Sequence, residues 1–398
     1  MRIAIYHNLP SGGAKRTLYE AAKRLSLNHT LHEYTLDTAD REFCNLNDLI
    51  CEQFVTSFSP SRLFRSPLGR LNQLQRWRDL QTLDRLAHKI AEKIDSGKYD
   101  IVFAQPCMWT QAPLILRYLR TPSIYYCHEP PRHIYEYIDR AANTKPGSFY
   151  ALDRIDPLIQ LYRNTGRRLD WMAVRSAKLV LVNSIFIQKR VKQIYGVDSI
   201  VSYHGVDTDL FSPGPENRHQ SYVLSVGAIQ PHKGYDFLIN SLAHVDKRIR
   251  PTLKLIGNME NIREQVFLQA LAKEKEVDLQ IEVGVDHKTL LQRYKDSILV
   301  AYAPHNEPFG LVPLEAMACG KPVVGVNEGG VKETVIHEVT GLLVDRDPEK
   351  FGQALQLMLS KPDLVDQYGR NGRRHVLENW SWNRSVQKLE QHMSSLIS

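Results

Sequence analysis

The sequence predicts an α/β protein that contains two doubly wound parallel sheets. Short β-branched segments alternate with amphipathic helical segments along most of the 398 residues, which is typical of parallel strands covered by helices on both faces. The predicted strands are too many for one sheet, and a turn-rich segment at residues 211–217 separates them into two groups. We therefore expect two Rossmann-like domains, at residues 1–205 and 206–380.

The predicted strands also indicate where ligands should bind. Ligands of such sheets bind beyond the carboxyl ends of the strands, and two domains facing each other would place one cleft between them. An amphipathic helix is predicted at residues 17–26, and a helical insertion beside the cleft is predicted at residues 130–175. The predicted strands cover residues 3–8, 101–105, 123–128, 179–183 and 200–203 of the first domain, and 222–227, 252–257, 279–283, 298–304, 322–326 and 342–345 of the second.

Composition excludes several classes of protein. A mean hydropathy of −0.34 and the lack of an apolar run near ~18 residues predict no membrane-spanning helix. The N-terminus shows no charged region followed by a long apolar one, so no secretory signal is predicted. The five cysteines form no C-x-x-C pair, which argues against a disulfide framework or a zinc site and favours a cytoplasmic location.

The charge of the chain is unevenly distributed. Residues 1–200 contain 29 Lys and Arg against 19 Asp and Glu, and the remainder is slightly acidic. The densest basic stretch covers residues 62–93, where arginines alternate with leucines and aromatic residues. A solvated helix face, a membrane-surface element and a nucleic-acid patch could each have this pattern. Because no recognisable nucleic-acid module accompanies it, we expect no nucleic-acid partner.

A glycine pair follows the first predicted strand. Gly12 and Gly13 precede a helix, where the backbone can approach a ligand and free N–H groups favour a phosphate. A simple turn before a helix is the alternative. The G-x-G-x-x-G fingerprint is absent from the chain, and Gly320-Lys321 is followed by Pro322 rather than by Ser or Thr. These absences argue against dinucleotide-dependent enzymes and P-loop ATPases.

The most specific segment covers residues 304–324 and is predicted as strand, loop, helix and strand. Glu307 lies in the loop, and Glu315 lies in a helix that should begin near residues 309–311. The start of that helix offers N–H groups to an anion, whereas a carboxylate accepts hydrogen bonds from hydroxyls. One carboxylate for a sugar and one for a ribose would fit this arrangement. Two exposed helix glutamates are the alternative, which the particular Pro-Phe-Gly loop disfavours.

Several motifs together resemble glycosyltransferase family 4, which has the GT-B fold, over nearly the whole chain. The segment from Trp382 resembles the family's C-terminal helix that crosses back to the first domain, so residues 381–398 are expected to form it. The other matching motifs are Glu307 to Glu315 (E-x7-E), Gly12-Gly13-Ala14, His204-Gly205-Val206-Asp207 with Phe211, Val226-Gly227 through Lys233-Gly234, and Gly329-Gly330 with Glu333 and residues 340–344.

The resemblance implies roles for both carboxylates. Glu307 would bind hydroxyls of the transferred sugar and act in catalysis, and Glu315 would bind the ribose hydroxyls. Backbone N–H groups of Phe309, Gly310 and Leu311 would contact the sugar and the diphosphate.

The resemblance also implies a cationic site for the diphosphate. Lys233 would bind it and replace a metal ion, so neither a metal nor a cofactor is expected. Ala228 stands where the family usually has a phosphate-binding arginine. Lys233 would then act alone, or Lys15 or Arg16 would substitute from the other side of the cleft. Val285 occupies the position at which the family holds the base, mainly through its backbone.

Residues of the first domain are expected to contact the transferred sugar and the acceptor. His128 ends a predicted strand, and the matching histidine of the family lies against the donor sugar; a purely structural histidine is the alternative. Arg132 and His133 are expected to face the acceptor, and Gly12 and Gly13 to contact the substrate.

The function implied is that of a retaining glycosyltransferase. It would move a hexose, glucose from UDP-glucose in the first place, to a saccharide acceptor in cell-surface or exopolysaccharide biosynthesis. A GDP-mannose-dependent mannosyltransferase is the alternative, followed by a sugar-nucleotide epimerase and a non-catalytic nucleotide-sugar-binding protein. The basic first domain suggests a lipid-linked acceptor reached by peripheral docking on the anionic inner face of the plasma membrane.

Overall fold

The structure, a computed structural model, describes residues 1–65, 68–135, 156–214 and 222–397. These residues form two compact units, which we describe separately. The first unit comprises residues 1–183, 187–202 and the chain from residue 386 onward, and the second comprises residues 184–186 and 203–385. The short segment 184–186 belongs to the second unit, where the N–H groups of Ile185 and Phe186 donate to the carboxylate of Glu333 at 2.8 and 2.9 Å.

The first unit contains a parallel sheet of seven strands. They are β1 (Arg2–Asn8), β2 (Thr30–Leu36), β3 (Glu52–Thr56), β4 (Ile101–Cys107), β5 (Ser123–Cys127), β6 (Leu179–Val182) and β7 (Ile200–Val201). Their order in the sheet is β3-β2-β1-β4-β5-β6-β7.

Two strands of this sheet, β2 and β3, were not predicted from the sequence. The β2 strand is almost entirely buried, yet it carries polar residues that do not form an apolar run. Glu33 can lie inside because its carboxylate contacts the His7 imidazole at 2.5 Å, and a paired carboxylate is far less costly to bury than an isolated one. The β3 strand is a half-buried edge strand, whose hydrophobic pattern is weak for that reason.

The helices of the first unit are α1 (Gly13–Leu25), α2 (Asn72–Ser96), α3 (Arg132–Tyr135), α4 (Pro157–Ser176) and α5 (Ile185–Tyr195), and the first two residues of α5 belong to the second unit. The first helix thus begins four positions before the predicted start, directly at the glycine pair. Of the predicted insertion at residues 130–175, α3 and α4 are helical, and the segment between them, with its Lys-Pro-Gly breaker, lies outside the described residues.

The second unit contains a parallel sheet of six strands, all of which were predicted. They are β8 (Tyr222–Val226), β9 (Thr252–Gly257), β10 (Leu279–Val283), β11 (Ser297–Tyr302), β12 (Val323–Val326) and β13 (Gly341–Val344). Their order is β10-β9-β8-β11-β12-β13, which is the Rossmann order. The direction of winding reverses between β8 and β11, so a ligand is expected beyond the carboxyl ends of these two strands.

Helices cover both faces of this sheet. Neighbouring residues of one strand, such as Val223 and Leu224, are buried in two different hydrophobic clusters, as expected when a sheet is covered on both sides. The helices are α6 (Tyr235–Ala243), α7 (Ile262–Glu274), α8 (His287–Asp296), α9 (Leu311–Ala318), α10 (Val331–Thr334), α11 (Pro348–Ser360) and α12 (Pro362–Asn379).

A last helix, α13 (Trp382–Ile397), begins in the second unit and ends in the first. From Val386 onward its apolar face packs in the core of the first unit, together with residues of β1 and α1. Glu390 on the same helix contacts the imidazole of His29 at 2.8 Å. In the part of the chain that the structure describes, no helix is long and apolar enough to span a bilayer.

We predict that Gly234→Ala destabilises the second unit. Gly234 has a φ of +69°, and a Cβ there would lie 2.1 Å from the carbonyl oxygen of Ala303. Backbone strain alone costs about 1–2 kcal/mol, and the steric clash should lower the free energy of unfolding by about 2 kcal/mol more. Denaturant unfolding measures this loss.

The matched control is Gly320→Ala, which has a similar φ of +73° but meets its nearest neighbour at 3.5 Å. It should show the strain without the clash. Equal losses in the two variants would contradict the importance of the contact between Gly234 and Ala303.

Candidate functional site

An ion pair joins the two loops that follow β8 and β11. The Nζ of Lys233 lies 2.9 Å from an Oε of Glu307. Both side chains remain in part accessible, with exposed fractions of 19% and 15%. The sheet order places these two residues together because neighbouring parallel strands end at the same edge.

The two loops are also joined through their backbones. The N–H of His305 donates to the carbonyl of His232 at 2.8 Å. Gly234, in the left-handed conformation, ends the short 3₁₀ turn Pro231–Lys233 and brings the first loop against the Ala303 carbonyl. The position of Lys233 relative to Glu307 is therefore set by main-chain contacts as well as by the ion pair.

Two buried tyrosines border this pair. Tyr302, at the end of β11, is buried beside Glu307, and burial together with the charge of this carboxylate raises the pKa of Tyr302 well above its usual value. The hydroxyl of Tyr235 donates to the carbonyl of Gly227 at 2.8 Å. Both hydroxyls therefore stay protonated, and Tyr302 helps Lys233 to orient the Glu307 carboxylate.

The helix α9 begins at Leu311, four positions after Glu307 and within the predicted range of residues 309–311. Gly310 precedes it with a φ of +92°, and the first N–H groups of a helix have no acceptor within the helix. Phe309 is 2% exposed, and its ring packs against the rings of His204 and Trp380 at 5.3 and 5.6 Å. Phe309 thus anchors the loop in the core, while the backbone of Phe309, Gly310 and Leu311 is what could contact an anion.

Glu315 is more enclosed than the other predicted ligand residues. It is 4% exposed, and the hydroxyl of Tyr294 donates to its carboxylate at 2.7 Å. A ribose would therefore meet an edge of this carboxylate rather than the whole side chain. Val285 lies half-buried beside Gly284, which has a φ of +67° and open space where a Cβ would stand.

Lys15, one of the three candidates for the role of the arginine that is missing at Ala228, is enclosed within the first unit. Lys15 is 1% exposed, and its Nζ lies 3.2 Å from the Nε2 of His7, which in turn contacts Glu33. Burial lowers the pKa of Lys15 and of His7. Lys15 is thus an interior residue behind the glycine loop, whereas Arg16 is partly exposed.

The glycine pair has the geometry that the sequence suggested. Gly12 has a φ of +145°, and nothing lies within 4 Å of the position that a Cβ would occupy. Gly13 is exposed and is the first residue of α1. The backbone here is therefore open to a ligand in the first unit.

His128 and Arg132 both have partners within the first unit. The Nε2 of His128 lies 3.0 Å from Oε1 of Gln105, and burial lowers the pKa of His128 to about 4. The imidazole is therefore neutral near pH 7 and can only act through hydrogen bonds. The Nε of Arg132 donates to the Glu129 carboxylate at 2.7 Å. The side chain of His133 lies outside the described residues.

Aspartates that could resemble a metal-binding Asp-x-Asp motif have structural roles. The sequence contains this tripeptide at residues 207–209 and 345–347. Asp207 accepts the N–H groups of Asp209 and Leu210 at 3.1 and 2.9 Å, and Asp347 caps α11. Among the described residues, no group of three or more His, Cys, Asp and Glu side chains could hold a metal ion.

Sequence reasoning missed the residues that support the ion pair. Tyr302 and Tyr294 are aromatic residues in or near strands, which a sequence cannot distinguish from ordinary core residues. The ion pair between Arg346 and Glu328, described below, joins residues that follow β13 and β12. The signal in the sequence that could indicate Arg346 and Glu328 is that each follows a strand of the predicted second sheet.

We predict that His128 contributes to the pH dependence of stability. Because its pKa is about 4 in the folded protein and 6.5 is its usual value, the unfolded chain binds more protons between these pH values. The free energy of unfolding should therefore fall as the pH falls from 6.5 to 4, by up to about 3 kcal/mol from this residue. His128→Gln should reduce this slope in denaturant titrations, and the control His88→Gln, at an exposed position, should not. An unchanged slope in His128→Gln would contradict a neutral imidazole in the folded protein.

Two family models cover most of the chain. Residues 11–210 match Glycosyltransferase Family 4, and residues 207–375 match Glycosyl transferases group 1. The alpha-1,3/1,6-mannosyltransferase ALG2 of Mus musculus is 33% identical over 198 residues, which are 45% of this chain and 46% of that protein. A D-inositol 3-phosphate glycosyltransferase of Jonesia denitrificans is 31% identical over 208 residues, 46% of this chain and 48% of that protein. The chain thus spans about half the length of these relatives.

Solved structures share the fold over the whole chain. Sucrose-phosphate synthase from Thermosynechococcus elongatus superposes with a TM-score of 0.75 at 20% identity and covers 100% of this chain and 99% of its own. Anabaena HepE in complex with UDP and glucose superposes with a TM-score of 0.74 at 21% identity and covers 100% of both chains. The two Rossmann-like sheets and the family matches agree: the chain belongs to glycosyltransferase family 4 and has the GT-B fold.

Proposed function

We propose that this chain is a retaining glycosyltransferase that moves a hexose from a nucleotide sugar to a saccharide acceptor. The observation that carries the proposal is the ion pair of Lys233 and Glu307 at 2.9 Å. It lies beyond the strands where the winding reverses, in the loop that leads to the N-terminus of α9. It combines a cation and N–H groups for a diphosphate with a carboxylate for sugar hydroxyls.

Each group of the site has a task in the proposed transfer. Lys233 and the N–H groups of Phe309, Gly310 and Leu311 bind the diphosphate and stabilise the charge that develops as it leaves. Glu307, oriented by Tyr302, accepts hydrogen bonds from hydroxyls of the sugar. Lysine supplies the positive charge without a metal ion, and we propose that transfer needs none.

The remaining predicted residues bind the nucleoside and the acceptor. Glu315, fixed by Tyr294, holds the ribose hydroxyls, and the backbone at Val285 contacts the base. His128, neutral near pH 7, donates to or accepts from the transferred sugar. Arg132 binds the acceptor.

Retention follows if the acceptor attacks from the face that the diphosphate leaves. The bond from the anomeric carbon to the diphosphate oxygen breaks, and a bond to the acceptor oxygen forms on the same face. The acceptor proton passes to the departing diphosphate, so no separate carboxylate base is required. Assignment of the product anomer by NMR tests this stereochemistry.

For the donor we propose UDP-glucose, with GDP-mannose as the alternative. Anabaena HepE, which has the same fold, has been solved in complex with UDP-glucose, whereas ALG2 is described as a mannosyltransferase. A panel of nucleotide sugars, screened by thermal shift and then by release of nucleoside diphosphate with and without acceptor and with EDTA, discriminates between them. If none of the nucleotide sugars yields nucleoside diphosphate, with or without an acceptor, the proposal of a transferase is contradicted.

We also propose that the first unit docks on an anionic membrane to reach a lipid-linked acceptor on the cytoplasmic side. Leu63, Phe64 and Leu71 are 54%, 40% and 38% exposed, and the neighbouring Arg62 and Arg65 are exposed as well. Apolar side chains flanked by arginines suit the boundary between head groups and acyl chains. Each basic residue near an anionic surface adds roughly 1 kcal/mol of attraction.

We predict that the two glutamates affect different steps, Glu307 the turnover and Glu315 the binding of UDP. Glu307→Ala should lower turnover about 10²-fold with little change in the affinity for UDP, because the interaction strengthens at the reacting sugar. Glu315→Ala should weaken UDP binding about tenfold, because a hydrogen bond to a charged group is lost. Steady-state kinetics and calorimetry measure both, and Glu315→Gln separates binding from folding. Equal losses of UDP affinity would refute the assignment.

We predict salt-sensitive binding to anionic vesicles. The variant with Arg62→Glu and Arg65→Glu should lose flotation with phosphatidylglycerol vesicles at low salt, as the unmodified protein should at high salt. The control with Arg370→Glu and Arg374→Glu carries the same charge change at exposed positions of the second unit and should still bind. If the unmodified protein does not bind the vesicles at low salt, or if both variants lose binding equally, membrane docking is contradicted and the acceptor would be one that is free in solution.

A further inference from the structure

A second ion pair supports the loop that carries Glu307. The Nε and Nη2 of Arg346 each lie 2.8 Å from one oxygen of the Glu328 carboxylate, which is the bidentate geometry that only arginine provides. Glu328 follows β12 and Arg346 follows β13. The two side chains are 27% and 18% exposed, so the pair is half-buried and shielded in part from solvent.

Both members of this pair contact the backbone between β11 and Glu307. Nη1 of Arg346 donates to the carbonyl of Ala303 at 3.0 Å, and Nη2 donates to the carbonyl of Pro304 at 2.9 Å. The N–H of Asn306 lies close enough to the Glu328 carboxylate to help lower the pKa of Glu328. The residue before Glu307 is thus held by one member of the pair, and the start of the loop is held by the other.

The backbone at Asn306 has a conformation that these contacts help to hold. Asn306 has a φ of +45°, in the left-handed region that asparagine adopts more readily than other residues with a Cβ but that is still uncommon outside glycine. Without the contacts of Arg346 and Glu328 the loop could relax toward a more ordinary conformation. The carboxylate of Glu307, which follows directly, would then move relative to Lys233.

The other side of the ion pair depends on the same arginine. A Cβ on Gly234 would lie 3.4 Å from Nη1 of Arg346 and 2.1 Å from the Ala303 carbonyl, so the turn that ends at Lys233 packs against the carbonyl that Arg346 holds. The guanidinium also lies over the Phe237 ring at 5.2 Å. Arg346 therefore contacts or adjoins both loops of the site.

We propose that Arg346 and Glu328 are positioning residues that set the placement of Glu307 and Lys233 for sugar transfer. The proposal rests on the proposed function, since it assigns the pair a role in that same site. Nothing in it requires contact between the guanidinium and the substrate, because the Glu328 carboxylate and two carbonyls already accept from it.

The Glu328 carboxylate remains charged over the working pH range. Burial alone would raise its pKa, but the hydrogen bond and the charge of Arg346 and the N–H of Asn306 lower the pKa of Glu328 below its usual value. Glu328→Gln, which replaces the carboxylate by a neutral amide of the same size, is therefore a specific probe of the bidentate ion pair with Arg346.

The proposal is tested with Arg346→Lys, Glu328→Gln and the matched control Arg250→Lys, and a rescue experiment uses Arg346→Ala and Arg250→Ala. Lysine keeps the charge of Arg346 but cannot bind a carboxylate and two carbonyls together. Arg250 also holds backbone carbonyls of the second unit, those of Ala243, Val245 and Glu276, but it contacts neither loop of the site. Loss of the hydrogen bonds of the Arg250 guanidinium in Arg250→Lys should therefore lower the melting temperature without a specific effect on turnover.

The readout is the release of nucleoside diphosphate from UDP-glucose and from GDP-mannose, together with UDP affinity and the melting temperature. We expect kcat to fall about tenfold or more in Arg346→Lys and Glu328→Gln, because small displacements at a reacting centre have effects of this size, while KM and UDP affinity stay within about twofold. Guanidinium at non-denaturing concentration should restore part of the turnover of Arg346→Ala but not of Arg250→Ala.

Two results would overturn the proposal. A rise in KM at unchanged kcat would show that Arg346 binds the donor directly, and a loss of turnover no greater than that of Arg250→Lys would show a general structural role. Glu307→Ala measured in the same assay separates this failure from that of the proposed function. If that variant keeps full turnover, the site itself is wrongly assigned; if it loses turnover while Arg346→Lys does not, only the positioning role is wrong.

Discussion

The ion pair between Lys233 and Glu307 is the interaction on which the candidate site of the second unit depends. An ammonium and a carboxylate that are each more than four-fifths buried are costly to desolvate separately, and pairing at 2.9 Å offsets much of that cost. The pair can be useful only if its two loops keep their places to within a fraction of an ångström. The two loops are held in place by Tyr302, by the start of α9 and by the hydrogen bonds of the Arg346 guanidinium.

Glycines allow the Glu307 loop to be supported from behind. A Cβ on Gly329 would lie 2.4 Å from the carbonyl oxygen of Glu307, and one on Gly330 would lie 2.4 Å from that of Pro308. The N–H of Gly330 also donates to the Glu307 carbonyl at 2.8 Å. Gly329 and Gly330 are thus explained by the close approach of two backbones, which any side chain would prevent.

The alternation of strands and helices was enough to predict the fold class and every strand of the second sheet. Its inner strands are buried on both faces and are therefore largely apolar runs, which a sequence shows directly. The first sheet was predicted less completely, because β2 contains Glu33 and His32, whose burial depends on partners elsewhere in the chain. A sequence cannot show that Glu33 will meet His7.

For the site, the sequence by itself determined which residues follow strands, where α9 begins and which carboxylates could hold hydroxyls. These features depend on residues that are close in sequence, and such residues remain close in the folded chain. Only the tertiary structure decided that Lys233 pairs with Glu307, that Lys15 turns inward to His7, and that Arg346 reaches the loop before Glu307. These outcomes depend on which strands become neighbours and on how much water each charged group loses, and neither quantity is encoded in the spacing of residues along the chain.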